Sequence, residues 1–169
     1  MATMILVEKH DFRKGSAEYK ELDRLCFLSK NLYNAGLYTV RQHFFATKKF
    51  LPYSQLTSQF AETNQADFRA LPAKVAQHTL KLIHQNFSSF FALLKLKVVG
   101  EYQAKVKIPH YLEKQFGRQV LNYTSQAVSV KAKQGYIKLS QTNIFIKSKV
   151  EKGKVQTYYF AKGDRLELI

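Results

Sequence analysis

The chain is poor in cysteine, in acidic residues and in long apolar runs. Its one cysteine, Cys26, excludes an internal disulfide and a cysteine-based zinc cluster, and we expect a core thiol in a reducing, cytoplasmic setting. No apolar run reaches the ~18 residues of a membrane-spanning helix, and the N-terminus lacks the pattern of a secretory signal. These absences favour a folded intracellular protein without a membrane partner.

The shortage of acids leaves a strong positive charge. The 169 residues include 27 Lys and Arg against 12 Asp and Glu, a net charge of +15. With 46% apolar residues, the chain is a folded protein and not a disordered basic tail. A folded protein with this charge most often binds a polyanion, of which nucleic acid is the commonest. A membrane surface fits less well, because the basic residues are spread through predicted strands.

The longest amphipathic pattern covers residues 71–97 and predicts one helix that begins at Pro72. Its apolar side is predicted to consist of Val75, Ala76, Thr79, Leu80, Ile83, Phe87, Phe90, Phe91 and Leu94. The opposite side is polar and basic, and no acid occurs between Asp67 and Glu101. Exposed helices ordinarily mix Glu with Lys, because pairs four residues apart stabilise them. An acid-free face suggests that a partner supplies the counter-charge; a core helix with a basic outer side is the simpler alternative.

Two further helices are predicted before this one. Ser16 is expected to cap a helix that runs to about Ala46. Gly36 weakens this helix, and two helices with a bend at Gly36 are the alternative. A shorter helix is expected over residues 53–64 with Ser54 as its cap. Residues 65–70 are expected to form a link.

After Gly100 the pattern changes to short alternating runs, which predict strands. Together with a first strand near the N-terminus, the expected strands are 4–10, 105–108, 120–123, 127–130, 136–139, 144–150, 156–161 and 165–169. The predicted fold class is α+β, a small antiparallel β-barrel with a helical insertion after the first strand. The barrel is assigned to residues 1–14 and 99–169, and the insertion to residues 15–98.

Lysines alternate with apolar residues in several predicted strands, so a period of two places them on one outer face. This predicted basic face comprises Lys105, Lys107, Lys131, Lys133, Lys138, Lys147 and Lys149. Aromatic residues nearby in the sequence could stack on bases, namely Tyr102, Tyr111, Phe116, Tyr123 and Tyr136. Alternatively, the lysines only solubilise a sheet and the aromatics belong to the core.

The sequence offers no recognised catalytic motif. Its acids lie mainly in turns and on polar helix faces, and we find no convergent carboxylates that would hold a phosphate-clamping metal. His78 and His84 are six residues apart and do not share a helix face. We therefore expect no enzymatic activity and no cofactor or metal in this chain. A metal-independent ribonuclease that uses these histidines is the alternative.

Two stretches together resemble a known family. They are YSQLTSQF followed by LPAKVAQHTLKLIHQNFSSFFALLK, and KIPHYLEKQFGRQVLNYTSQAVSVK followed by GYIKLSQTNIFIKSKV. In matching order, over about residues 5–150, they resemble the N-terminal half of TnpB. TnpB is the RNA-guided DNA endonuclease encoded by insertion sequences, a type of transposable element, and is related to compact type V CRISPR effectors.

The resemblance implies a wedge β-barrel with a helical recognition insertion that grips a guide RNA and its heteroduplex with double-stranded target DNA. It also implies that a short DNA motif beside the target is read by Tyr53, Thr57, Lys74, His78 and Thr124. The family tends to have Gln where His78 stands. Contacts to the nucleic-acid backbone are expected from Lys81, Lys95, Lys105, Lys107, Arg118, Lys131 and Lys147.

The family's nuclease half follows the barrel and carries three acidic metal ligands, and this chain stops at Ile169. The expectation is a truncated, split or frameshifted product, or a deliberate fragment, that is associated with the nucleoid and does not cut DNA alone. Its nuclease half is supplied, if at all, by a partner chain. A stand-alone DNA-binding regulator of a mobile element is the alternative.

Overall fold

The computed structural model describes residues 8–131, 135–148, 157–160 and 166–168. The helices are α1 (Ala17–Thr47), α2 (Tyr53–Glu62), α3 (Ala66–Ala70) and α4 (Ala73–Val98). The strands are β1 (Glu8–His10), β2 (Leu121–Thr124), β3 (Val128–Lys131), β4 (Tyr136–Leu139), β5 (Phe145–Lys147), β6 (Thr157–Phe160) and β7 (Leu166–Leu168). The predicted α+β class is confirmed.

The described strands form two antiparallel sheets, with the orders β1-β7-β6-β2 and β3-β4-β5. In the second sheet, Val130 pairs with Ile137, which in turn pairs with Ile146. Ile137 and Ile146 are buried, whereas Phe145 and Lys147 are exposed, as the alternating pattern predicted. The described strands do not close into a barrel.

Helix α1 begins as predicted at Ser16, whose hydroxyl accepts a hydrogen bond from the Tyr19 amide at 3.1 Å. The alternative of two helices that meet at Gly36 is wrong, because α1 is one helix through this residue. Packing accounts for the glycine instead: a Cβ built there would lie 2.6 Å from Ile83 Cδ1 and 2.8 Å from Leu80 Cδ2, so these side chains would have to shift. The missing side chain thus lets α1 approach α4 closely.

The two short helices correct two predictions. Helix α2 has Pro52 at its N-cap and no side-chain cap, so Ser54 lies within the helix and does not cap it. Residues 66–70 are helical, not a link, because Gln65 Oε1 accepts a hydrogen bond from the Phe68 amide at 2.6 Å. Phe68 then anchors α3 in the core.

Helix α4 buries most of its predicted apolar side, namely Val75, Ala76, Thr79, Leu80, Ile83 and Phe87. Phe90 and Phe91 are half-buried, and Phe91 packs on Phe44 with ring centroids 5.7 Å apart. Leu94 is exposed, contrary to the prediction, as are all residues from 94 to 99. The last turn of α4 therefore lies outside the core.

Strand β2 joins the strand region to the helices. Leu121 and Tyr123 are fully buried, and β2 packs against α4 and α1. Tyr123 is thus a core residue, as the alternative for the aromatic residues stated, and it is not available to stack on bases. The strand predicted over residues 105–108 is also wrong, because residues 101–120 form no regular secondary structure.

Candidate nucleic-acid interface

Three predicted residues lie together on one side of α4. Lys74, His78 and Lys81 fall within an arc of roughly 60°, because each residue advances a helix by about 100°. This arc, here called the α4 basic face, is opposite to the buried side. Lys74 and Lys81 are exposed and His78 is half-buried. No acid lies in the first turn of α4, and Lys95 and Lys97 are in its last turn.

The position of His78 controls its protonation. Burial lowers the pKa of the imidazole below its ordinary value, and the charges of Lys81 and Lys74 lower it further. A neutral imidazole can donate one hydrogen bond and accept another. An anion bound at the α4 basic face would favour the protonated form instead, because an opposite charge stabilises it.

The other predicted motif-reading residues lie on elements that pack against α4. Tyr53 begins α2 and is half-buried, and the Thr57 hydroxyl donates to the Tyr53 carbonyl at 2.9 Å. Thr124 ends β2, and its Oγ1 is buried without a hydrogen-bond partner among the described residues. Asn122 Oδ1 is in the same situation two residues earlier, on the same face of the strand. The sequence reasoning missed Asn122, although its polar type between buried Leu121 and Tyr123 was a usable signal.

The predicted backbone contacts are distributed over several elements. Lys81 and Lys95 are exposed on α4, Lys105 and Lys107 are exposed on the irregular segment, and Lys147 is exposed on β5. Lys138 is half-buried and its Nζ lies 5.4 Å from the centroid of the Phe145 ring. Lys131 belongs to β3 but its side chain is outside the described part, and Lys133 and Lys149 are outside it entirely.

Helix α1 holds residues 112–119 through a row of hydrogen bonds, here called the α1 clamp. The Asn34 amide donates to the Leu112 carbonyl and accepts from the Leu112 amide, both at 2.9 Å. Lys30 Nζ donates to the Lys114 carbonyl at 2.7 Å. The Cys26 carbonyl accepts from the Gln119 amide at 3.1 Å. An irregular segment is thereby fixed along the helix.

Arg118 completes the α1 clamp. Its guanidinium donates two hydrogen bonds to Asp23, at 2.7 and 2.8 Å, and this pairing raises the pKa of Arg118. The positive charge is therefore already paired. A phosphate contact from Arg118 stays a prediction. Among the predicted contacts to the nucleic-acid backbone, it is the one that the structure favours least.

Lys30 is a structural residue that the sequence reasoning missed. It is only 2% exposed, and its Nζ lies 4.0 Å from the Phe27 ring centroid. Burial lowers its pKa. Its position among the apolar residues of α1 was the available signal.

The Glu113 carboxylate holds the turn that follows it. It accepts hydrogen bonds from the amides of Gln115, Phe116 and Gly117. These bonds lower the pKa of Glu113. A Cβ on Gly117 would collide with the Glu113 carbonyl oxygen, so only glycine suits this turn. The negative charge of Glu113 is thus partly offset by the amides of its own turn, which reduces its repulsion of an approaching anion.

Other chemistry is limited in the described part of the chain. It contains no group of three or more His, Cys, Asp or Glu that could hold a metal ion. The His84 ring packs on Phe50 at 5.1 Å. Cys26 is buried as predicted, and burial raises its pKa to about 12, so the thiol stays protonated at neutral pH.

One cleft of about 620 Å³ lies between the start of α1 and the β4–β5 turn. Its lining includes Glu18, Glu21 and Lys138. Two carboxylates against one ammonium group do not suit a polyanion. The cleft is therefore no candidate for binding nucleic acid, although Lys138 belongs to the predicted basic face.

Comparison with known proteins finds no family model and no curated protein that match the chain. Each helix in the described part of the chain is either too short or too polar to span a membrane.

Proposed function

We propose that the protein binds nucleic acid, with the α4 basic face on duplex DNA and other basic surface on a structured RNA. In its specific form, the proposal is the wedge and recognition part of a TnpB-like RNA-guided nuclease, in which residues 1–14 and 99–169 close into the wedge barrel. This chain contributes binding, not catalysis. The observation that carries the proposal is the α4 basic face, whose exposed lysines have no acid on their own helix.

The geometry of this face suits a duplex. An α-helix fits the major groove of DNA. Lys74 and Lys81 are seven residues apart, so they are separated by about 10 Å along the axis. Lysines at this spacing can neutralise phosphates while His78, between them, meets a base edge. Tyr53, Thr57 and Thr124 would complete the motif-reading site from α2 and β2.

The DNA part of the proposal is tested by salt dependence. We expect K74Q/K81Q to weaken duplex binding and to reduce the slope of log K against log salt by about 1.8, because each lost phosphate contact contributes about 0.9. Fluorescence anisotropy with a labelled duplex, between about 50 and 200 mM salt, measures this slope.

The matched control is K14Q/K20Q, which removes the same charge from exposed lysines near Asp11, Glu18 and Glu21. If the control lowers the slope as much as K74Q/K81Q, the α4 basic face has no special role. Long-range charge alone would then explain the binding.

The RNA part is tested by purifying the protein from its host without nuclease and sequencing the RNA that accompanies it. One structured transcript is the expected result. Mixed cellular RNA, or none, would contradict guide binding. A DNA-binding regulator of a mobile element would then be the remaining hypothesis. RNA cleavage that survives chelation and disappears in H78A or H84A would replace the proposal with a histidine ribonuclease.

A further inference from the structure

Four exposed or half-buried side chains form a second surface, away from the α4 basic face. Tyr38, Arg41 and Phe45 lie on one side of α1 at steps of three and four residues, and Tyr111 comes from the irregular segment. Tyr38 is 57% exposed, Phe45 48% and Tyr111 45%. The Arg41 Cζ lies 5.1 Å from the Tyr111 ring centroid and 5.7 Å from that of Phe45. We call this set the α1 platform.

Acids are few near the α1 platform in sequence: Glu113 follows Tyr111 by two residues, and its carboxylate accepts hydrogen bonds from the amides of its own turn. No Asp or Glu occurs between Asp23 and Glu62, whereas Lys48 and Lys49 follow Phe45 closely and are exposed. The positive charge favours an anionic partner, and the exposed rings favour one with flat apolar surfaces. Sulfated sugars and lipid headgroups supply the charge without flat rings. An unpaired nucleotide supplies both.

Two members of the platform, Tyr111 and Arg41, are also held in place before any ligand arrives. Tyr111 precedes Leu112, whose backbone the α1 clamp fixes through Asn34 with two hydrogen bonds. Arg41 lies between rings from both elements. Little side-chain entropy is then lost on binding, which improves affinity.

We propose that Tyr38, Arg41, Phe45 and Tyr111 bind unpaired nucleotides of RNA, with bases stacked on the rings and a phosphate paired with the guanidinium. This inference rests on the proposed function, which supplies RNA as a partner. Of the two nucleic acids proposed there, a structured RNA has loops and bulges that present base faces, whereas a duplex keeps its bases stacked.

The test uses the full chain and a fluorescein-labelled oligouridylate of about ten nucleotides, a length within the range that single-strand sites cover. We expect F45A and Y111A each to weaken binding about tenfold, because stacking of a base on an aromatic ring contributes this much. Photocrosslinking of the uridines should label Phe45 or Tyr111.

The matched control is F145A. Phe145 is 49% exposed and also has a cationic neighbour, Lys138, but it lies on β5 and is not part of the α1 platform. We expect F145A to change the affinity less than twofold. Equal losses of affinity in F45A and F145A would overturn the proposal. Losses in F45A and Y111A that occur with oligothymidylate, a DNA strand, and not with oligouridylate would also overturn it.

The failure of this inference is distinguishable from failure of the proposed function. If K74Q/K81Q weakens duplex binding while F45A and Y111A leave oligouridylate binding unchanged, only the platform is wrong. If the wild-type chain binds neither the duplex nor the oligouridylate, both proposals are wrong.

Discussion

Basic side chains of the same type have different surroundings in this protein. Lys30 and Arg118 are hydrogen-bonded within the α1 clamp, whereas Lys74 and Lys81 are exposed beside His78. The net charge of the sequence does not separate these groups. Burial and pairing do, and they divide the lysines and arginines into those that stabilise the fold and those that remain open to a polyanion.

Replacement of Arg118 tests this division. We expect R118A to lower the free energy of unfolding by about 1–3 kcal/mol, because a two-bond, partly buried pair with Asp23 is lost. Urea unfolding measures the loss. R24A is the control: Arg24 also bonds a carboxylate, Glu21, but that pair is within one helix and Arg24 is exposed, so about 0.5 kcal/mol or less is expected. Similar losses in both variants would contradict the structural role of Arg118.

The lowered pKa of His78 gives two pH effects of opposite sign. In the unfolded chain its pKa returns to about 6.5, so the unfolded state binds more protons and stability falls as pH drops through that value. In the proposed duplex complex, we expect the phosphates to raise the pKa of His78, so that binding takes up a proton and the affinity rises as pH drops.

Binding titrations at constant salt between about pH 7.5 and 5.5 should therefore show a gain in affinity toward low pH of at most about tenfold per pH unit, which is the limit for the uptake of one proton. H78Q should remove most of this gain. H110Q is the control, because His110 is an exposed histidine outside the helices. A gain that persists in H78Q would show that another group takes up the proton.

At the scale of elements, local signals predicted the helices better than the strands. The Ser16 cap was sufficient to predict the start of α1, and the apolar period was sufficient to predict α4, because both signals depend on neighbours within one turn. The alternation over residues 105–108 predicted a strand wrongly: Val106 and Ile108 are half-buried and Lys105 and Lys107 exposed, but no partner strand pairs with them in the described chain. A strand depends on a distant partner, which a local pattern does not identify.

Gly36 shows how packing reverses a local signal. Glycine is less favourable than Ala within a helix by about 1 kcal/mol. Helix α1 nevertheless continues through Gly36, and the missing side chain leaves room for α4. We expect G36A to destabilise the protein by up to about 2 kcal/mol, as crowding against Ile83 and Leu80 outweighs the gain in propensity. G36L should cost more. Thermal unfolding checks both, and a stabilised G36A would contradict the close approach.

At the scale of the molecule, one core joins the helices to the strand region. Leu121 and Tyr123 of β2 belong to the same buried cluster as the residues of α1 and α4. The predicted division at residues 14/15 and 98/99 stays a prediction, but the packing of β2 on α4 implies that these parts unfold together.

This coupling predicts the effect of L121A. We expect a loss of about 2–5 kcal/mol, because the fully buried side chain leaves a cavity. The helical circular dichroism and the near-ultraviolet tyrosine signal should decrease in one common transition. L94A is the control, since Leu94 is exposed and should cost about 0.5 kcal/mol or less. Two separate transitions would contradict a shared core.

The candidate site was predictable only where it lies on one element. Lys74, His78 and Lys81 follow from the helical period. The α1 platform and the α1 clamp combine α1 with residues some 70–95 positions later, and no local pattern links them. Arg118 illustrates the limit: its type suggested a phosphate contact, but only the fold shows that Asp23 lies beside it.

The α1 clamp also sets an order of events during synthesis. Lys30 and Lys114 are 84 residues apart, and Asp23 and Arg118 are 95 apart. At about 5–20 residues per second, roughly 4–20 s separate the synthesis of α1 from that of its clamped segment. During this interval the Lys114 carbonyl, to which Lys30 donates a hydrogen bond in the folded protein, has not yet been synthesised. Tyr111 follows Arg41 by 70 residues, so at the same rate the newborn chain lacks its complete α1 platform for about 3.5–14 s.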